Sequence, residues 1–167
     1  MSDVYKTDTI ENHGKTYRID WVTDYDAGAP WENSDCHGIV TDWTSRPKKP
    51  GERILNRSRG EYRYYDYQQT MKDAVRVWGC KPGPDAVESV ERDFEYLQAW
   101  CNDEWHYCGI IVTLLDDDGE ETDISASLWG IESDCDGYHA TVIRDLIGNC
   151  EYEENRGIYA GATVGAA

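Results

Sequence analysis

No lysine or arginine occurs between Arg92 and Arg144, yet that 51-residue window holds 13 Asp or Glu residues. Long runs of one charge sign are usually disordered tails. Here the window also carries Trp100, Trp105, Tyr107, Trp129 and the run Gly109–Leu115, which is core material. No apolar run approaches about 18 residues, so no transmembrane helix is expected. Met1–Lys6 lacks the basic-then-apolar order of a secretion signal. These absences lead us to expect a cytoplasmic protein whose six cysteines are free thiols.

Several chemical signatures are missing as well. The chain has no phosphate-binding glycine loop, no nucleophile elbow, no zinc-protease helix and no internal repeat. No cysteine pair shows the close spacing of a structural zinc site. Asp116, Asp118 and Gly119 imitate part of a calcium loop, but the first and twelfth positions of that pattern fall on Leu114 and Ser125. No cofactor and no metal is therefore expected. Cys101, His106, Cys108, Cys135 and His139 stay open as soft or imidazole ligands, and Cys36–His37 as a thiol–imidazole pair.

What is present is a core-forming composition with an uneven charge. Hydrophobic residues make up 40% of the 167, aromatics 12%, and the net charge is −17. A field of that sign works against direct binding to nucleic acid or an anionic membrane. Residues 46–81 oppose it, with ten basic and four acidic residues, or +6. Internal pairing of this basic segment with the acidic remainder is the simplest expectation. A basic aromatic stretch, 46–65, could alternatively contact single-stranded nucleic acid through Arg57, Arg59, Tyr62, Arg63, Tyr64 and Tyr65.

The hydrophobic pattern predicts an α+β fold. Tyr17, Ile19 and Trp21 alternate with polar residues in a strand over 15–23. Tyr107–Leu115 reads as a buried strand, Asp116–Glu121 as a turn, and 122–130 as its return. An antiparallel sheet centred on this 107–130 hairpin is expected to be packed by two or three helices. One helix is capped by Asp66, with Met71, Ala74, Val75 and Trp78 inward. A second starts at Pro84–Asp85, with Ala86, Val90, Phe94, Leu97 and Cys101 apolar, and a third covers about 137–147 before Gly148–Asn149. We expect one domain over 1–150 with a long irregular segment at 24–60, followed by a loose tail over 151–167.

Charge on a folded frame can imitate the phosphate pattern of DNA, which presents one negative charge per about 1.7 Å of axis. The candidate face comprises Asp85, Glu88, Glu91, Glu95, Asp103 and Glu104, with Asp116, Asp117, Asp118, Glu120 and Glu121 at the hairpin tip. Glu132, Asp134 and Asp136 extend it. Trp100, Trp105 or Trp129 would anchor a partner if exposed.

The segments Ala29-Pro30-Trp31-Glu32, Asp35-Cys36-His37-Gly38, Trp43-Thr44-Ser45-Arg46, Pro50-Gly51-Glu52-Arg53 and Tyr64-Tyr65-Asp66 occur in this order. With Trp100–Tyr107 and Trp129–Ser133, they resemble a group of small acidic proteins encoded by bacteriophages. The resemblance covers about residues 14–147 and carries no catalytic residue with it. In size and charge the chain is also similar to DNA-mimicking antagonists of host restriction and CRISPR systems. The resulting expectation is a non-enzymatic protein of the host bacterial cytoplasm. It would inhibit a basic, nucleic-acid-handling host protein or complex through its acidic face, as a monomer or homodimer. The alternatives are a small nucleic-acid-binding or structural phage component acting through 46–65, and a zinc- or thiol-dependent enzyme.

Overall fold

A computed structural model of the chain describes residues 3–34 and 36–165, with side chains through 156. The fold is α+β, with an antiparallel sheet of four strands, a second of three, and four helices among the described residues. Contacts divide the chain into two units, each with a hydrophobic core of its own: residues 1–27 with 106–167, and residues 28–105. The expected domain over 1–150 spans both units, and in sequence the second lies between strands of the first.

The first unit is built on the sheet β1-β2-β6-β7, formed by β1 (Val4–Asn12), β2 (Lys15–Thr23), β6 (Tyr107–Leu115) and β7 (Glu121–Glu132). The expected strand over 15–23 and the 107–130 hairpin are both present. β1 and β2 are joined by His13–Gly14, both at positive φ (51° and 77°), as a tight two-residue hairpin requires. On one face Tyr17, Ile19 and Trp21 of β2 and Cys108, Ile110, Val112 and Leu114 of β6 are buried together. They meet Val142, Ile143, Leu146 and Ile147 of α4 (Asp136–Gly165), whose apolar residues recur at helical spacing.

Helix α4 corrects two expectations. It runs through Gly148–Asn149 and continues to Gly165, over most of what was expected to be a loose tail; residues 166 and 167 lie outside the described residues. Tertiary contacts explain why the local stop signal fails. Cys150 is buried against the sheet, Asn12 Nδ2 donates to Glu151 Oε1 at 2.6 Å, and Lys15 Nζ pairs with Glu154 at 2.9 Å. Anchoring one turn beyond a Gly–Asn pair outweighs a propensity penalty of about 1 kcal/mol.

The second unit contains the sheet β3-β5-β4, formed by β3 (Val40–Thr44), β4 (Glu52–Ser58) and β5 (Glu61–Asp66). Three helices accompany it: α1 (Pro30–Asn33), α2 (Tyr67–Arg76) and α3 (Pro84–Cys101). The segment 24–60, expected to be irregular, holds α1, β3 and β4 between its loops. β4 and β5 turn at Arg59–Gly60, again with positive φ at both residues (50° and 82°). Asp66 caps α2 by accepting from the Gln69 backbone N–H at 3.0 Å, as expected. α3 starts at Pro84 after Gly83 without a side-chain cap; the Asp85 carboxylate instead accepts from the Lys81 N–H at 2.8 Å. Ala86, Val90, Phe94 and Leu97 then form the buried stripe against Leu55, Tyr65 and Ala74.

Candidate interaction surface and groove

The acidic candidates fall in both units. Asp85, Glu88, Glu91, Glu95, Asp103 and Glu104 belong to the second, and Asp116, Asp117, Asp118, Glu120 and Glu121 to the first. Asp85, Glu88, Glu95, Asp103 and Glu104 are exposed. Glu91 is the exception, because its carboxylate is used internally. It pairs with Arg53 Nη1 at 2.9 Å and accepts from Tyr67 Oη at 2.9 Å. This pairing is not legible in the sequence, because Arg53 lies 38 residues away.

At the hairpin tip the acids have different jobs. Asp116 Oδ1 accepts from the backbone N–H groups of Asp118 and Glu120, both at 2.9 Å, and so builds the turn. Glu121 pairs with Arg18, which also contacts Asp20 Oδ2 at 3.0 Å. Asp117, Asp118 and Glu120 are exposed, and Asp123 follows them on β7. At the far end of that strand, Asp134 and Asp136 are exposed as well. β7 is an edge strand of 12 residues. At about 3.3 Å per residue it approaches one turn of duplex DNA, about 34–36 Å.

Counting by unit sharpens the charge distribution. The first unit has 19 acids and five bases, or −14, and the second has 14 acids and 11 bases, or −3. The negative charge of the molecule thus resides in the sheet-and-α4 unit. The window 93–143, free of lysine and arginine, straddles both.

Three of the ten basic residues of 46–81, Arg46, Arg53 and Arg63, pair with carboxylates of their own unit. Arg46 grips Glu52 with both Nη atoms, at 2.8 and 2.7 Å. The guanidinium holds Glu52 below the usual carboxylate range despite burial. Arg53 lies 3.6 Å from the Tyr67 ring centroid besides pairing with Glu91. Arg63 donates to Asp42 Oδ1 at 2.8 Å and is held among Trp31, Trp43 and Trp100. Arg57 and Arg59 stand exposed at the β4–β5 turn. Of the three expected Trp anchors, Trp105 is buried, Trp100 packs against Trp31, and Trp129 is 44% exposed.

The metal candidates separate on geometry. The Trp21 indole N–H donates to His139 Nδ1 at 3.3 Å, so the ring carries its hydrogen on Nε2, which donates to the Glu132 carbonyl at 2.7 Å. Both nitrogens are occupied, which leaves His139 no lone pair for a metal. Cys108 is fully buried in the first core, whereas Cys101 belongs to the second unit. Glu132, Asp134 and Cys135 bring ligand atoms within 4.8 Å of one another. Yet Cys135 Sγ donates to Glu132 Oε2 at 3.3 Å, and burial together with the adjacent carboxylates pushes the thiol up to about 11.

Sequence reasoning missed one constellation. His37 Nδ1 lies 2.7 Å from Asp93 Oδ1, while Asp93 Oδ2 accepts from the Gly38 N–H at 2.8 Å and from the Tyr65 hydroxyl at 2.7 Å. Gly38 is required there, because a Cβ at that position would overlap the Tyr65 phenol ring. Cys36–His37 was visible as a pair, but Asp93 sits 56 residues away on a face that reads as ordinary helix surface.

No family model, no curated protein and no solved structure matches this chain.

Proposed function

We propose that the protein is a non-enzymatic, phage-encoded inhibitor that binds a basic, nucleic-acid-handling protein of its bacterial host in the cytoplasm. The restriction and CRISPR defence complexes are the class of partner meant. The observation that carries the reading is the concentration of −14 in one unit with its own core. An edge strand about as long as one duplex turn is flanked by exposed carboxylates: Asp117, Asp118 and Glu120 in the turn before it with Asp123 near its start, and Asp134 and Asp136 after it. Carboxylates held at the ends of a folded hairpin would occupy a Lys/Arg-rich groove without the ordering cost that a flexible acidic tail would meet. Association would be fast, steered by charge and weakened by salt.

The experiment is capture of host proteins from low-salt lysate on the immobilised protein, eluted in parallel by a salt gradient and by excess duplex DNA. A nucleic-acid-binding protein released by both eluents is the expected result. A protein released by salt and not by DNA would count against competition for the phosphate groove.

One observation favours a second reading. Arg57 and Arg59 are exposed at the β4–β5 turn, next to Tyr62 stacked on Tyr64. In that reading the turn contacts nucleic acid directly, and DNA or RNA rather than protein would be retained.

A further inference from the structure

The second unit has a groove of about 690 Å³, in the range of small-molecule sites, about 300–1,000 Å³. Cys36 and His37 reach it from the loop before β3, Val77, Trp78 and Cys80 from the segment after α2, and Ser89, Arg92, Asp93 and Tyr96 from α3. Its walls are mostly apolar, and apart from the exposed Arg92 and Cys36 its polar groups are committed except at one ring nitrogen of His37. Cys80 Sγ donates to Ser89 Oγ at 3.4 Å, and Asp93 receives three donors on its two oxygens. A carboxylate in that position only accepts, so the neutral imidazole of His37 carries its hydrogen on Nδ1 and has its acceptor at Nε2. The imidazole is also held by its face, stacked on Tyr96 at 5.5 Å and 11°. With Nδ1 bonded and one face stacked, His37 lines the groove with Nε2 as its remaining acceptor.

That arrangement selects a ligand. An anion would have to give up its hydration to mostly apolar walls. An ammonium ion would lose hydration against Trp78 and Val77 and meet Arg92 at the rim. We propose that this groove binds a neutral small molecule with an apolar, ring-sized body and one hydroxyl that donates to His37 Nε2. The groove is lined by residues of the second unit.

The test compares 4-methylphenol with toluene, which has a similar body and no hydroxyl. Binding to the full chain is followed by amide and indole N–H chemical shifts. Saturable shifts at Gly38, Trp78 and Tyr96 are expected, with 4-methylphenol binding about tenfold more tightly than toluene, the value of one net hydrogen bond. His37→Phe keeps the ring and removes the acceptor, so it should make the two affinities equal. Because that change also deprives Asp93 of a donor, Val77→Trp at an exposed rim position serves as a second variant. It should abolish binding of both probes with the fold intact. Equal affinities in the unaltered protein would overturn the proposal. So would a preference that survives His37→Phe, or binding that survives Val77→Trp. Failure of either probe to give saturable shifts up to its solubility would do the same.

Discussion

The guanidinium carbon of Arg63 sits 4.2 Å from the centroid of the Trp43 ring. Trp31 and Trp100 approach the same cation at 5.4 Å each, and only 15% of the Arg63 side chain is exposed. A desolvated cation among three indoles ties β3, β5, α1 and α3 together, and a planar guanidinium does this better than an ammonium. Arg63→Lys should lower the stability of the second unit by about 1–2 kcal/mol. Urea unfolding followed by Trp fluorescence checks it, and an unchanged midpoint would contradict it.

This cluster also marks how far the sequence could be read. Period-2 alternation and a run of β-branched residues made β2, β6 and β7 legible, and helical spacing of Ala86, Val90, Phe94 and Leu97 made α3 legible. β1 left little trace, because as an edge strand it is exposed along nearly its whole length and only Ile10 packs against the core. The short signals were His13–Gly14 and Arg59–Gly60, each a two-residue turn that fixes a hairpin. Partnerships across long separations were hidden: Arg53 with Glu91, His37 with Asp93, Arg63 with Trp31 and Trp100. Charge reads as surface in a sequence. Whether a given carboxylate is surface or staple depends on a partner that only the fold supplies.

Glu52 gives a pH-dependent prediction. It is 8% exposed, and accepts from both Nη atoms of Arg46 and from the Lys49 N–H at 2.7 Å. Its pKa is lower folded than unfolded, chiefly through Arg46. Its contribution is therefore complete above the ordinary carboxylate value, about 4.3, and is lost as pH falls through the lower folded value. The stability gap between the unaltered protein and Glu52→Gln should be widest near pH 6 and shrink toward pH 3. A gap that grows with acid would contradict the assignment.

Gly38 tests the geometry around Asp93. A side chain there would push into Tyr65, whose hydroxyl is one of three donors to Asp93. Gly38→Ala should cost about 1–3 kcal/mol by overpacking. The loss should appear as a lower denaturation midpoint together with displaced Tyr65 ring resonances. A neutral substitution would mean that the approach of backbone to ring is looser than described.

The six thiols should differ in reactivity, because the thiolate is the nucleophile. Cys36 is exposed. Cys135 is held protonated, with its thiol pushed up to about 11, while Cys108 and Cys150 are buried and also raised. Iodoacetamide at pH 7.5 should label Cys36 first, Cys135 slowly, and Cys108 and Cys150 only on unfolding, as read by peptide mass spectrometry. Equal labelling of Cys36 and Cys135 would contradict the hydrogen bond from Cys135 to Glu132.

The most direct measurement compares two charge-reversal sets in the host-lysate capture. One replaces Asp117, Asp118 and Asp123 with Lys in the first unit, and the other replaces Glu88 and Glu95 with Lys in the second. All five positions are exposed. The expected result is that the first set loses the salt-released, nucleic-acid-binding partner while the second set retains it. Retention by both sets, or loss only when Arg57 and Arg59 are changed to Ala, would contradict an acidic surface on the first unit as the site of binding.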